Sequence, residues 1–427
     1  MKTLYDKFKS PWACVPTLYF AEGLPYILVN SIALIFYKRM GIPNDSLAFW
    51  TSVIFLPWAL KMLWSPLVEI YSTKRRWILL TQALMAAALF AAALACGLPA
   101  FFALSLAAFA LAAFVSATQD IAVDGFYMLA LDQKQQALFV GIRVMFYRLA
   151  MLFGSGALVY FAGSLEEKLG SVAAAWAAMF GLSGLLFALL AGYHAALLPR
   201  PDADARGDAQ SALSAFKKAW AASKTIFGEY IRQKDILYIL LFIVLYRFAE
   251  TMLGKMSAPF VLDSLENGGL AVTTKQVGLL YGTVGLAALT AGGIFGGWLI
   301  ARYGFRKCIW PMALAMNVPD LVYVYMAYAK PAFAWLFPLV AVEQLGYGIG
   351  AMAYTVYLMN IAQGPNKTAH FAISTSLMAL GVMLPGMISG KIQMALGYGP
   401  FFILVCLMTI PSFLVIPLIL KTRGAEN

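Results

Sequence analysis

Stretches of roughly 20 or more apolar residues, each able to cross the hydrocarbon core of a bilayer as one helix, recur along this chain from Trp12 almost to the C-terminus. Twelve can be delimited, at about 12–38, 47–71, 77–97, 101–131, 136–164, 172–198, 236–262, 275–302, 307–328, 333–362, 368–395 and 400–420. Composition argues the same way. Of the 427 residues 62% are hydrophobic and only 12% charged, more apolar surface than a water-borne fold can enclose. The first stretch is too long for a secretory signal core, contains Glu22, Gly23 and Pro25, and precedes no small-residue cleavage site. It is expected to remain as the first span.

Orientation follows from Lys and Arg, which accumulate in short cytoplasmic loops. With twelve spans and the N-terminus inside, inside segments carry Lys2, Lys7, Lys9, Lys74, Arg75, Arg76, Arg302, Arg306, Lys307, Lys421 and Arg423. Outside segments hold only Lys38, Arg39, Lys168, Lys275 and Lys330. Both termini are therefore expected in the cytoplasm. The formal net charge of +11 then reads as an insertion signal and an attraction to anionic lipid. No nucleic-acid motif accompanies it, and no nucleic-acid partner is expected.

A polar interruption at 199–235 separates six spans from six, so the expected domains are 1–198 and 236–427 joined by a cytoplasmic linker. Within the linker, Ala212, Phe216, Trp220, Ile226, Phe227 and Ile231 alternate with Lys217, Lys218, Lys224 and Arg232, the pattern of a basic amphipathic helix on the inner leaflet. Cys14, Cys96, Cys308 and Cys406 lack CxxC spacing, and His194 and His370 are far apart; neither a disulfide framework nor a metal site is expected. The chain contains no G-x-x-x-x-G-K-[ST] phosphate loop, HExxH helix or G-x-S-x-G elbow. An enzyme is not expected, nor a cofactor. Uphill movement of a solute would draw on an ion gradient, with protons as partner.

Five carboxyl groups stand deep within apolar stretches: Glu22, Asp120, Asp124, Glu250 and Glu343. Such a group costs roughly 2.5–3.5 kcal/mol on insertion scales and faces a bundle interior or a watery cavity. Asp120 and Asp124 are one helical turn apart and share a face of the fourth span. Desolvation and like-charge repulsion oppose their simultaneous ionisation, so the pair can take up and release a proton. The alternatives are a structural ion cluster with Lys61, Arg143 or Arg148, and a gate built from the same ion pairs. Glu22 and Glu250 fall roughly 15–21 Å from the inner helix ends, near mid-membrane, and Gly23 and Pro25 loosen the helix beside Glu22. Asp320 follows Pro319 and is expected to answer Lys255 or Lys391.

The two sets of six spans carry internal similarity, as a duplicated transporter would. Phe20-Ala21-Glu22 recurs as Phe248-Ala249-Glu250, 228 residues on. Ala137-x-Phe139 and Met151-Leu152-x-Gly154 recur as Ala369-x-Phe371 and Met383-Leu384-x-Gly386, 232 residues on. At that offset Arg148 is matched by Leu380. An unmatched cation facing a cavity could hold the carboxylate of a peptide or sugar acid in a bidentate contact, or it could simply neutralise Asp120 or Asp124. Gly292-x-x-x-Gly296 and Gly293-x-x-x-Gly297 read as close helix packing.

The loops after the second and eighth spans resemble the G-x-x-x-D-R-x-G-x-R-R element of the major facilitator superfamily. The second copy reads Gly297-x-x-x-Ala301-Arg302-x-Gly304-x-Arg306-Lys307, with Ala in place of the acid. The first reads Ser65-x-x-x-Glu69-Ile70-x-Ser72-x-Lys74-Arg75, keeping the acid and losing both glycines. The resemblance implies a cytoplasmic gate at Glu69, Lys74, Arg75, Gly297, Arg302, Gly304 and Arg306.

Within that superfamily the chain resembles AmpG-type muropeptide permeases and the related acetyl-coenzyme A transporters over nearly its whole length. Ser116-Ala117-Thr118-Gln119-Asp120-Ile121-Ala122-Val123-Asp124 is close to their S-A-S-Q-D-I-x-x-D signature, and Lys61-Met62-Leu63-Trp64-Ser65-Pro66-Leu67 to K-x-L-W-S-P-L. Tyr147-Arg148-Leu149 and Leu245-Tyr246-Arg247 match basic positions, and Glu343 precedes Gly346, Gly348 and Gly350 as on the family's tenth span. Departures are Glu250 in place of Asp, Ala301, and Gly125-Phe126-Tyr127 after the carboxylate pair.

The resemblance implies an all-α membrane protein of major facilitator fold, with twelve transmembrane helices in two pseudo-symmetric six-helix bundles around a central cavity. It implies solute contacts at Arg148, Lys61, Gln119, Tyr147 and Arg247, and proton coupling or gating at Asp120, Asp124, Glu22, Glu250 and Glu343. The expected activity is proton-coupled import of anhydromuropeptides across the bacterial inner membrane by a monomer, for cell-wall recycling. Import or export of another bulky polar solute, such as a siderophore, is the alternative within transport. A non-transporting receptor or assembly factor is the alternative outside it.

Overall fold

The structure, a computed structural model, describes residues 10–200, 220–221, 224–362, 367–422 and 424, apart from the side chains at 69, 70 and 368. Eleven of its helical segments are long and apolar enough to cross a membrane. They are Pro11–Arg39, Asn44–Leu63, Lys74–Ala95, Phe101–Ala130, Gln133–Leu169, Val172–Leu197, Ile236–Leu262, Thr274–Tyr303, Phe333–Ile361, Ala369–Leu396 and Tyr398–Ile419. The remaining expected span, the ninth, is also helical. It runs as Phe305–Asn317, a tight 3-10 turn Val318–Asp320 and Leu321–Ala329. Asn317, Pro319 and Asp320 make it the least apolar of the twelve.

The interruptions lie where local chemistry allows them. The second span turns at Ile54 and Phe55 and tightens to a 3-10 turn at Lys61–Leu63 before a separate helix, Ser65–Tyr71, starts with Pro66 at its second position. The stretch expected as one span over 47–71 is thus two helices, the second opening at Ser65 with Pro66 in its first turn, where a proline costs no hydrogen bond. The seventh span breaks at Tyr246 and Arg247, between Ile236–Leu245 and Phe248–Leu262. Widened π turns at Leu28–Ile32, Phe153–Leu158 and Leu280–Gly285 interrupt the first, fifth and eighth spans, a distortion frequent at functional sites.

The chain divides into two compact units that do not follow the six-and-six order of the sequence. One holds Met1–Phe36 with Leu60–Ala222, and the other Tyr37–Ala59 with Ser223–Asn427. In the first, Phe36, Phe109, Trp176 and Phe180 form an aromatic core with centroids 5.1–6.5 Å apart. Lipid is as apolar as these rings, so their close fit rather than a hydrophobic drive holds the helices together. At Gly23 a methyl group would lie 2.7 Å from the Tyr147 carbonyl oxygen, so glycine lets the first and fifth spans touch.

In the second unit, residues 37–59 are tied in by polar bonds. The Asn44 amide donates to Gln393 Oε1 at 2.7 Å and to the Tyr398 hydroxyl at 2.8 Å. Lys38 forms an ion pair with Asp263 at 2.6 Å, and the Tyr398 hydroxyl donates to the same carboxylate oxygen at 2.6 Å. Of the expected packing glycines, Gly292 and Gly296 hold, with Cβ atoms that would fall 2.1 and 3.0 Å from the carbonyl oxygens of Leu345 and Ile349, whereas Gly293 and Gly297 have no neighbour closer than 4.0 and 3.4 Å. Of the expected amphipathic helix, Ala212, Phe216, Lys217 and Lys218 lie outside the described residues. Residues 224–231 are helical, and Tyr230 from this helix is fully buried with its hydroxyl 2.9 Å from Ser374.

Candidate functional site

The first unit gathers three acids and two cations around the fourth span. Asp120 forms an ion pair with Lys61, which the 3-10 turn of the second span presents, and the two side chains are 20% and 40% exposed. One turn along the same face, Asp124 accepts from the Tyr19 hydroxyl at 2.8 Å and from Arg143 Nη1 at 3.2 Å. Arg143 also donates to the Tyr19 hydroxyl at 2.9 Å and lies over the Tyr19 and Tyr127 rings. Asp120 and Asp124 therefore each have their own cation, as in the ion-cluster alternative.

The third acid of the group is Glu22. It stands beside Asp120, and its Oε2 is buried with no hydrogen-bond partner among the described residues. Two carboxyl groups thus lie side by side here, one paired with Lys61 and one without a cation. Gln119 donates to the Ala21 carbonyl at 3.1 Å, bracing the helix beside Glu22, and leaves its own Oε1 buried without a partner. Tyr147 lies near Tyr26, Glu22 and Asp120. Trp64 donates to Thr118 at 3.2 Å and stacks on Phe114 at 4.8 Å, fixing the turn that carries Lys61 against the fourth span. Arg148 is exposed and makes no ion pair or hydrogen bond among the described residues. It does not neutralise Asp120 or Asp124.

The second unit is drier. Glu250, Asp320 and Glu343 are 5%, 0% and 1% exposed. Asp320 does not answer Lys255 or Lys391: its carboxyl meets Glu250, with Glu343 as the next charge. Pairing an acid with a lysine of another helix depends on how the ninth span is turned, which Pro319 and the 3-10 turn decide. Glu343 accepts from Gln344 Nε2 at 3.2 and 3.0 Å and lies within bonding reach of Tyr323, whose hydroxyl is 2.8 Å from that of Tyr281. Arg247, at the break in the seventh span, donates to the Tyr347 hydroxyl and lies over the Tyr347 and Tyr354 rings. No described cluster of three or more His, Cys, Asp or Glu could hold a metal ion.

The loop elements differ from each other. In the first copy, buried Lys74 donates to the Val68 carbonyl at 3.3 Å, and its stem packs on Gly125. Arg75 donates to the carbonyls of Leu198 at 3.1 Å and Ala195 at 2.6 Å, so a cation caps the C-terminal end of the sixth span. The Glu69 side chain lies outside the described residues. In the second copy, Gly304 adopts φ +80°, a left-handed conformation suited to glycine, and Arg302 lies over Trp298 and Tyr303. Gly297 leaves Met352 at ordinary contact distance, and Arg306 is exposed.

Tyr19, Tyr323 and Gln344 were not singled out by sequence, and Asp320 was singled out with the wrong partner. Tyr19 precedes Glu22 by three residues on the same helical face, a usable signal. Asp320 interrupts an apolar stretch beside Pro319, which was a second. Buried His194 bridges Thr17 at 2.9 Å and Gln82 at 2.8 Å, tying the sixth span to the first and third.

No family model matches the chain. The putative transporter AmpG 4 of Rickettsia conorii is 23% identical over 408 residues, covering 92% of this chain and 93% of that one. The anhydromuropeptide permease of Escherichia coli is 25% identical over 403 residues, covering 93% and 77%. Among solved structures, a POT family transporter in complex with 5-aminolevulinic acid superposes with a TM-score of 0.69 at 12% identity, covering 94% of each chain. By fold and by these relatives, the chain is a multi-pass membrane transporter of the major facilitator fold, related over most of its length to AmpG-type permeases.

Proposed function

We propose that this transporter imports anhydromuropeptides across the bacterial inner membrane, driven by protons, for cell-wall recycling, as a monomer with both termini in the cytoplasm. The solute follows from the resemblance to the permease of Escherichia coli. The coupling rests on one observation: Glu22 and Asp120 meet as carboxyls while Asp120 also pairs with Lys61. A proton arriving at this contact lowers the charge on Asp120 and weakens its hold on Lys61. Proton occupancy thereby changes the ion pairs that hold the second and fourth spans together, and alternating access follows from that exchange. Each proton descending about 100 mV supplies roughly 2.3 kcal/mol. Arg148, exposed and without an ionic partner, supplies the contact for a carboxylate of the solute.

The test is uptake by purified protein in proteoliposomes. Labelled anhydromuropeptide should accumulate under an inside-alkaline gradient and collapse with a protonophore, while unlabelled siderophore should not compete. Competition by siderophore with no muropeptide uptake would reject the solute. Uptake indifferent to the gradient would reject the coupling.

A further inference from the structure

The repeated Phe-Ala-Glu element places a glutamate in each unit, and each glutamate meets an aspartate of a different helix: Glu22 with Asp120, Glu250 with Asp320. The partners do not correspond in the repeat, since Asp120 lies on the fourth span and Asp320 on the ninth. The surroundings differ as well. Asp120 has Lys61, whereas both oxygens of Asp320 and Oε2 of Glu250 are buried with no hydrogen-bond partner among the described residues. Asp320 is wholly enclosed and Glu250 nearly so.

The facing groups can all be named. Arg247 and Glu250 come from the seventh span, Tyr281 from the eighth, Tyr323 from the ninth, Glu343 from the tenth and Cys406 from the twelfth. Arg247 is the one cation among them. Glu343 already accepts twice from Gln344. The Gln344 amide brings no charge, so if Glu250 and Asp320 were both ionised beside Glu343, three negative charges would face one described cation in a nearly enclosed site. An uncompensated buried charge is the most costly arrangement a protein interior can hold. One proton between them removes one negative charge from the cluster around Arg247, and unpartnered acceptor atoms acquire a bond.

We propose that Glu250 and Asp320 form a second proton-binding site, separate from that of Glu22 and Asp120, which holds one shared proton at neutral pH. Asp320 is a ligand of that proton and not a lone structural acid. The use of the proton in transport rests on the proton-coupled reading above; its presence does not.

Infrared difference spectra of the purified protein in H2O and D2O report protonated carboxylic acids without any transport. At neutral pH the wild type should show a carboxylic-acid carbonyl band, and Asp320→Asn should remove part of it while Glu22→Gln removes a different part. Glu250→Gln reads the same proton from the other partner and keeps the test open should Asp320→Asn fail to fold. The double variant Glu22→Gln with Asp320→Asn should lose both parts. Spectra of Asp320→Asn or Glu250→Gln that superimpose on wild type in this band would overturn the site, whatever the uptake assay shows.

Discussion

Lys61, on the 3-10 turn of the second span, forms an ion pair with Asp120 at the centre of the fourth. The turn matters because a continuous helix would carry Lys61 past this register, and Trp64 bonded to Thr118 pins the turn in place. The pair is partly open, with Lys61 40% and Asp120 20% exposed, so its strength falls between that of a surface pair and a buried one.

Neutralising either partner should therefore destabilise the protein by about 1–2 kcal/mol, and neutralising both should cost less than the sum. Thermal unfolding of Lys61→Met, Asp120→Asn and the double variant measures this. Additive losses would mean that the two residues act apart.

Arg148 makes no ion pair or hydrogen bond among the described residues, so its replacement should leave stability nearly unchanged. If it holds a solute carboxylate through two charge-assisted bonds, Arg148→Ala should raise KM by roughly 10- to 100-fold, corresponding to about 1.4–3 kcal/mol. Lys at the same position should not restore affinity, because it lacks the planar fork. Uptake kinetics with unchanged melting temperature checks both points.

Two adjacent glycines of the eighth span should respond differently to alanine. A methyl at Gly292 would lie 2.1 Å from the Leu345 carbonyl oxygen, whereas at Gly293 the nearest backbone oxygen is 4.0 Å away. Gly292→Ala should cost about 1–3 kcal/mol by forcing the eighth and tenth spans apart, and Gly293→Ala should be neutral. Melting temperatures in detergent separate them.

Arg75 caps the sixth span through the Ala195 and Leu198 carbonyls. Arg75→Gln should fray that end, raising amide hydrogen exchange around Leu198 by about tenfold or more, the equivalent of about 1.4 kcal/mol, without altering exchange in the fourth span. Unchanged exchange at the end of the sixth span would show that the cap contributes nothing.

Much of this arrangement was legible in the chain because membrane helices announce themselves by length and apolarity, and because acids inside them are rare enough to stand out. Glu22 and Asp120 were found that way, and Lys61 through the K-x-L-W-S-P-L resemblance. What escaped was whatever depends on rotation about a helix axis. Asp320 seemed an answer to a lysine, yet the turn at Val318–Asp320 directs it to Glu250. Nothing near Arg247 marks a helix break, since Leu245-Tyr246-Arg247-Phe248 contains neither proline nor glycine. The assignment of 37–59 to the second unit is likewise set by Asn44, Lys38 and their distant partners, which no local pattern reveals.

The proposed coupling point is the contact between Glu22 and Asp120. Proton entry into proteoliposomes, followed with a trapped pH-sensitive dye as anhydromuropeptide is added, tests it directly. Wild type should acidify the lumen on addition of solute, while Glu22→Gln should still exchange labelled for unlabelled solute but bring in fewer protons for each solute. Proton entry in Glu22→Gln equal to that of wild type, per solute carried, would contradict the account.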